Sequence, residues 1–205
     1  MMTVSKLRAF ALIFSFNFGL GLFAQSSGND GSIQFLSESE GEYIPENNAV
    51  VLRNKAQVIM EGMELYADLI RIDWDKNILT AYGIKQKNGE ISGKPRIIQG
   101  DRQFGADTLR YNYETKKGWI FKGNTTESEG FLHGQRIKMI NDSSYFLGEA
   151  SFTSCNHEHP HFAIVTGKAR LDVGKQIVTG PAFLQILDIP TPLFLPFAFF
   201  PIMEK

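Results

Sequence analysis

Residues 66–83 read Tyr66-Ala67-Asp68-Leu69-Ile70-Arg71-Ile72-Asp73, then Trp74 and a turn at Asp75-Lys76-Asn77, then Ile78-Leu79-Thr80-Ala81-Tyr82-Gly83. Apolar and polar side chains alternate on both sides of the turn. β-branched and aromatic types, which suit a pleated surface, dominate. The pattern is that of a β-hairpin, and it recurs. Gly105-Ala106-Asp107-Thr108-Leu109-Arg110-Tyr111 leads through a turn at 114–118 to Trp119-Ile120-Phe121-Lys122-Gly123. Gly134-Gln135-Arg136-Ile137-Lys138-Met139 leads through 141–144 to Tyr145-Phe146-Leu147-Gly148. Lys168-Ala169-Arg170-Leu171-Asp172-Val173 leads through Gly174-Lys175 to Gln176-Ile177-Val178-Thr179-Gly180. The units open near residues 67, 106, 134 and 168. The interval is irregular, so the expectation is a stack of hairpin-like units rather than a strict solenoid. Residues 48–60 add one strand or two ahead of the first unit.

Each unit carries two apolar residues two positions apart: Ile70 and Ile72, Leu109 and Tyr111, Ile137 and Met139, Leu171 and Val173. On a strand such pairs share a face, with Arg71, Arg110, Lys138 and Asp172 on the other. Stacked units therefore build one continuous apolar face. The sheets must close on each other, as in an ordinary sandwich, or leave a groove between them.

The two ends of the chain differ from this middle. Lys6 and Arg8 precede the uncharged apolar run 9–23, and Ala24 before Gln25 suits cleavage. This three-part pattern predicts a secretory signal peptide at 1–24, followed by a polar linker at 25–37. No cysteine stands at the cleavage point, which argues against a lipid anchor. At the other end, Ile189-Pro190-Thr191-Pro192-Leu193-Phe194-Leu195-Pro196-Phe197-Ala198-Phe199-Phe200-Pro201-Ile202 is almost wholly apolar. Its prolines at 190, 192, 196 and 201 forbid a spanning helix, because each removes a backbone donor and clashes with the preceding turn. Acidic and basic residues nearly cancel, 22 against 21. No basic stripe emerges, so nucleic acid is not an expected partner.

Cys155-Asn156-His157-Glu158-His159-Pro160-His161 groups the single cysteine with three of the four histidines. Thiol, imidazole and carboxylate are zinc donors. However, Pro160 interrupts regular strand geometry, and His133 stands apart. The segment is read as a polar loop, with no metal and no cofactor assigned. No G-x-S-x-G, H-E-x-x-H or phosphate loop is present. The expectation is a protein that is not an enzyme.

Three features together resemble a known family. They are the unit Ala67-Asp68-Leu69-Ile70 with Ala106-Asp107-Thr108-Leu109; the stretch 148–155 ending Thr153-Ser154-Cys155, followed by Pro160-His161-Phe162; and the proline-rich segment from Ile189 to Pro201. In this order they resemble the N-terminal periplasmic region of the LptD family, outer-membrane proteins that insert lipopolysaccharide. The repeated unit alone is shared with the OstA-like bridge proteins LptA and LptC. The resemblance implies an all-β fold, a folded-over antiparallel β-jellyroll of two facing sheets with an apolar inner groove. It divides the chain into a lipid-receiving jellyroll at 38–188 and a proline-rich segment at 189–205 that leads to a barrel. The groove candidates are Ile70, Ile72, Leu109, Tyr111, Trp119, Phe121, Ile137, Met139, Leu147, Leu171 and Val173. The barrel-junction candidates are Pro190, Pro192, Pro196 and Pro201. Cys155 matches the family's disulfide cysteine, whose partner lies in the barrel portion; in this chain alone the expected state is a free thiol. The implied partners are lipopolysaccharide, an LptA-like bridge docking by strand addition, and, in a full-length protein, the barrel portion and an LptE-like lipoprotein. The implied location is the periplasmic face of the outer membrane. A stand-alone soluble bridge protein like LptA is the alternative.

Overall fold

The computed structural model describes residues 33–202 apart from 40, 61, 101, 128, 129 and 158. The signal segment 1–24 and most of the linker lie outside the described residues. The strands are β1 (Gln34–Leu36), β2 (Glu42–Ile44), β3 (Ala49–Met60), β4 (Met63–Asp73), β5 (Ile78–Tyr82), β6 (Ile84–Lys85), β7 (Ile91–Ser92), β8 (Arg96–Gln99), β9 (Arg102–Gly105), β10 (Thr108–Asn112), β11 (Lys117–Glu127), β12 (Gly130–Asn141), β13 (Ser144–Thr153), β14 (Phe162–Asp172), β15 (Gln176–Thr179), β16 (Ala182–Ile186), β17 (Ile189–Leu195) and β18 (Ala198–Pro201). All pairings are antiparallel, and one 3₁₀ turn spans Pro45–Asn47. Apart from the small β6–β7 hairpin, the strands form one hydrogen-bonded network of sixteen.

That network folds over on itself because its long strands change partners halfway. In β4, residues 64–66 pair with β8 while 69–73 pair with β5. In β11, residues 117–121 pair with β10 while 124–125 pair with β9. In β14, residues 162–166 pair with β16 while 169–172 pair with β15. Following these switches yields two facing layers. Sheet I runs from β1 through β8 and β9 to β16 and β17; sheet II runs from β2 through β5 and β10 to β15 and β18. Strands β3, β4, β11, β12, β13 and β14 belong to both.

The backbone marks the line where each strand bends. Asn54 and Lys55 in β3, Lys122 in β11 and Glu149 in β13 all take positive φ. The β3–β4 register shifts at the same place, between Arg53 and Ala56, and the pairing of β12 is interrupted at Gln135, between Gly134 and Arg136. Bulges of this kind kink a strand and add twist. The Ala-Asp openings of the repeated units fall on this line. Asp68 accepts a hydrogen bond from Ser92 Oγ at 2.6 Å, and Asp107 pairs with Lys94 Nζ at 2.7 Å. The sequence unit therefore begins at a fold corner, not at a strand start.

The segments flanking the repeated region differ from the expected division. The end of the 25–37 linker forms β1, which pairs with β3. The 188/189 boundary cuts through a hairpin: Leu187 and Asp188 form its turn with positive φ, and β16 and β17 are its arms. The proline-rich stretch is part of both sheets. The prolines explain its placement, since a residue without an N–H is tolerated at sheet edges. Among the described residues β17 pairs only with β16, and β18 only with β15.

Candidate functional site

Between the sheets lies one apolar interior. Sheet I contributes Val58, Leu65, Ile97, Phe104, Leu132 and Ala150; sheet II contributes Leu52, Ile70, Ile72, Leu79, Leu109, Ile120, Tyr145, Leu147, Leu171 and Ile177. Contacts cross the gap directly. The rings of Phe104 and Tyr145 stand 6.0 Å apart, and those of Phe152 and Phe200 are 5.9 Å apart and stacked. Near the bend, Gly123 and Gly134 face each other in register, and a Cβ on either would strike the Ile137 side chain.

Most of the groove candidates meet in this interior. Ile70, Ile72, Leu109, Tyr111, Met139, Leu147 and Leu171 are buried, and Ile137 and Val173 pack partly buried against them. Burial, with a smaller push from the Asp142 charge, raises the Tyr111 hydroxyl to about 12, so it stays neutral inside. Trp119 and Phe121 are corrections: they lie on the outer face, 42% and 41% exposed. Trp119 sits across from Arg110 and Lys138, and the Lys138 ammonium lies 5.7 Å from its ring centroid. The inward residue of that strand is Ile120, in register with Leu109 and Ile137. A strand alternates faces at every residue, so selecting the large aromatics missed the true inward position by one. Carrying the Leu109 register across the hairpin turn would have found it.

Among the described residues, the space found between the sheets is small. A cavity of about 20 Å³ lined by Phe104, Ile120, Leu132, Tyr145 and Leu171 and another of about 10 Å³ near Phe152 and Phe200 occupy the inter-sheet space. The first has room for about one water, far less than an acyl chain needs. Partly buried apolar residues, among them Ile33, Met60, Trp74, Tyr113, Val173 and Ile202, pack against this core.

The edge at β16–β18 has the opposite character. Leu187, Ile189, Leu193, Phe194, Leu195, Phe197 and Phe199 are each at least half exposed, Phe197 the most at 70%. Pro190 and Pro192 lie in β17, Pro201 ends β18, and Pro196 stands where the chain crosses from sheet I to sheet II. An apolar surface this long is of the kind that a partner or a membrane commonly covers.

The loop from β13 to β14 holds Cys155 as a free, partly buried thiol. Beside it, a cleft of about 390 Å³ is lined by Gln103, Asn124, Thr126, Phe131, His133, Cys155 and His157. His133, which stands apart in the sequence, thus comes to the same cleft, where burial lowers its imidazole below the ordinary value. Glu158 lies outside the described residues. Among the described residues, no helix is long and apolar enough to cross a membrane.

Comparison with known proteins bears on the exposed edge. Residues 177–205 match the family model described as LptD protein. This segment begins in β15 and takes in β16, β17 and β18, and it is LptD-like. Among solved structures, the chain is similar to LptH, the LptA-homologous periplasmic component of the lipopolysaccharide transport device from Pseudomonas aeruginosa. That similarity has 14% identity and a TM-score of 0.43, covering 53% of this chain and 76% of LptH. No curated protein sequence matches.

Proposed function

We propose that this chain takes part in lipopolysaccharide transport. It accepts acyl chains between its two sheets and passes the lipid toward an outer-membrane barrel, without catalysing a reaction. The observation that carries the reading is the LptD match over residues 177–205, which falls on the edge where the apolar side chains from Leu187 to Phe199 are exposed. In this reading β16–β18 is the barrel-facing side, and Pro190, Pro192, Pro196 and Pro201 shape the junction. At the opposite edge β1 and β2 each pair, among the described residues, with β3 alone, and an LptA-like bridge docks there by strand addition. An LptE-like lipoprotein joins in a full-length assembly at the periplasmic face of the outer membrane.

Because the cavities found between the sheets are small, lipid enters by exchange. Parting the sheets uncovers core side chains at about 1.5–3 kcal/mol each, while every acyl CH₂ buried in their place returns about 0.8 kcal/mol. One chain of about a dozen methylenes thus offsets the uncovering of roughly three to six side chains. The two terms are of the same size, as a carrier that must also release its cargo requires.

Site-specific photocrosslinkers test this reading. Placed at Tyr111, Ile120 or Met139, they should capture lipopolysaccharide; placed at Trp119 or Phe146 on the outer face, they should not. Ile72→Asp, Tyr111→Asp and Met139→Asp should abolish capture. Equal capture from both faces, or unchanged capture in normally folded Asp variants, would refute it.

A further inference from the structure

The loop between β13 and β14 assembles three metal-ligand side chains that the sequence keeps two and four residues apart. Donor atoms of Cys155, His157 and His161 all lie within 4.8 Å of one another. Cys155 Sγ is 3.3 Å from His161 Nδ1, and the imidazoles of His157 and His161 meet edge-on with centroids 5.2 Å apart. A tetrahedral zinc ion held by one thiolate and two imidazoles places its donors about 3.5 Å from each other. Cys155 and His161 are already at that spacing, and His157 needs only a small side-chain movement.

The backbone holds the loop in this shape from both ends. The Thr153 hydroxyl, buried, donates to the Phe162 carbonyl at 2.6 Å and accepts the Cys155 N–H at 3.0 Å. The His161 carbonyl accepts the Leu187 N–H at 3.0 Å from the β16–β17 turn. His159, between the two converging histidines, is drawn away to Asp188, 3.0 Å from Nδ1 to the carboxylate. The break in strand geometry at Pro160, which spoke against a metal in the sequence, is what brings His161 back beside Cys155.

We propose that Cys155, His157 and His161 form a binding site for zinc or a similar thiolate- and imidazole-seeking divalent ion. Its fourth position is open to the adjoining cleft. On binding, the thiol releases its proton to solvent and a sulfur–metal bond forms. The bound ion then staples the end of β13 to the start of β14. This inference is independent of the lipid-transport reading.

The test uses the full chain, reduced and free of affinity tags, titrated with Co²⁺ and then Zn²⁺. One equivalent of Co²⁺ should give a thiolate-to-cobalt charge-transfer band, which Zn²⁺ should erase. Cys155→Ser, or alkylation of Cys155 in the folded chain, should abolish the band. His157→Ala and His161→Ala should each lose stoichiometric binding, while His159→Ala keeps it. Zn²⁺ should raise the unfolding temperature of the native chain but not of Cys155→Ser. Absence of the band overturns the site. So does a band indifferent to His157→Ala and His161→Ala, or one lost equally in His159→Ala, which would indicate a histidine-rich loop without a defined geometry.

Discussion

Asp107 receives the Lys94 ammonium at 2.7 Å on the line where the sheets fold over, and Lys122 reaches the other carboxylate oxygen at 3.5 Å. Lys122 is itself the bent residue of β11, with φ 48°. The cluster thus ties together the chain entering β8, the chain entering β10 and the kink of β11. Burial pushes the Asp107 carboxyl upward, but the two ammonium groups together outweigh it and hold its pKa below the ordinary value. A depressed pKa in the folded state stabilises above the unfolded value and is lost as pH falls through the folded one. Asp107→Asn should therefore cost about 1 kcal/mol at neutral pH, since Lys94 is half exposed and screened by solvent. The difference from the native chain should vanish in acid, below the usual aspartate range. Urea unfolding across pH measures it.

Gly93 is confined by the same fold corner. Its φ is +56°, and a Cβ there would stand 1.9 Å from Asp68 Cγ. Asp68 cannot yield easily, because its carboxylate accepts Ser92 Oγ and its N–H donates to the Gly93 carbonyl at 2.8 Å. Gly93→Ala should cost about 3 kcal/mol or more, combining left-handed strain with a clash. Gly89, with φ +89° and open space around it, is the control. Gly89→Ala should cost only about 1–2 kcal/mol. Denaturant midpoints separate the two.

Ile120 and Trp119 are sequence neighbours on opposite faces. Ile120 is 2% exposed. Its truncation to Ala should cost about 2–4 kcal/mol by leaving a cavity between the sheets. Trp119→Ala removes an exposed ring and one contact with Lys138, worth about 1 kcal/mol or less. A larger loss for Trp119 than for Ile120 would put the inner face on the wrong side of β11.

The alternating pairs Ile70/Ile72, Leu109/Tyr111 and Ile137/Met139 made the all-β class and the inner face readable, because a period of two leaves little choice once one residue is known to be buried. The fold-over was half visible. Ala67-Asp68 and Ala106-Asp107 stood out as repeated openings, but nothing local says that a strand there exchanges one partner for another. That choice depends on which distant strand, β5 or β8, lies alongside. Trp119 and Phe121 are large and apolar, but the register that pairs Leu109 with Ile120 turns both outward. The Cys155 loop was legible as a group of donors but not as a convergence of them. His161 returns to Cys155 only because Thr153 and the β16–β17 turn hold the loop from outside its own sequence.

The apolar character of the exposed edge should be dispensable to the fold. Leu193 and Phe197 are 61% and 70% exposed. Leu193→Asp and Phe197→Asp should change stability by no more than about 0.5 kcal/mol. They should also reduce self-association of the chain and its partition into detergent micelles, measured by sedimentation. Marked destabilisation would mean that this surface supports the sheets rather than receiving a partner.

Lipid capture between the sheets requires the sheets to part. Phe104 and Tyr145 face each other across the gap, one from each sheet. With Cys155→Ser as background, cysteines at both positions joined by a short thiol crosslinker would hold the sheets together. The linked chain should fold normally but no longer capture lipopolysaccharide at Met139, and cleaving the linker should restore capture. Undiminished capture by the linked chain would show that lipid does not enter between the sheets.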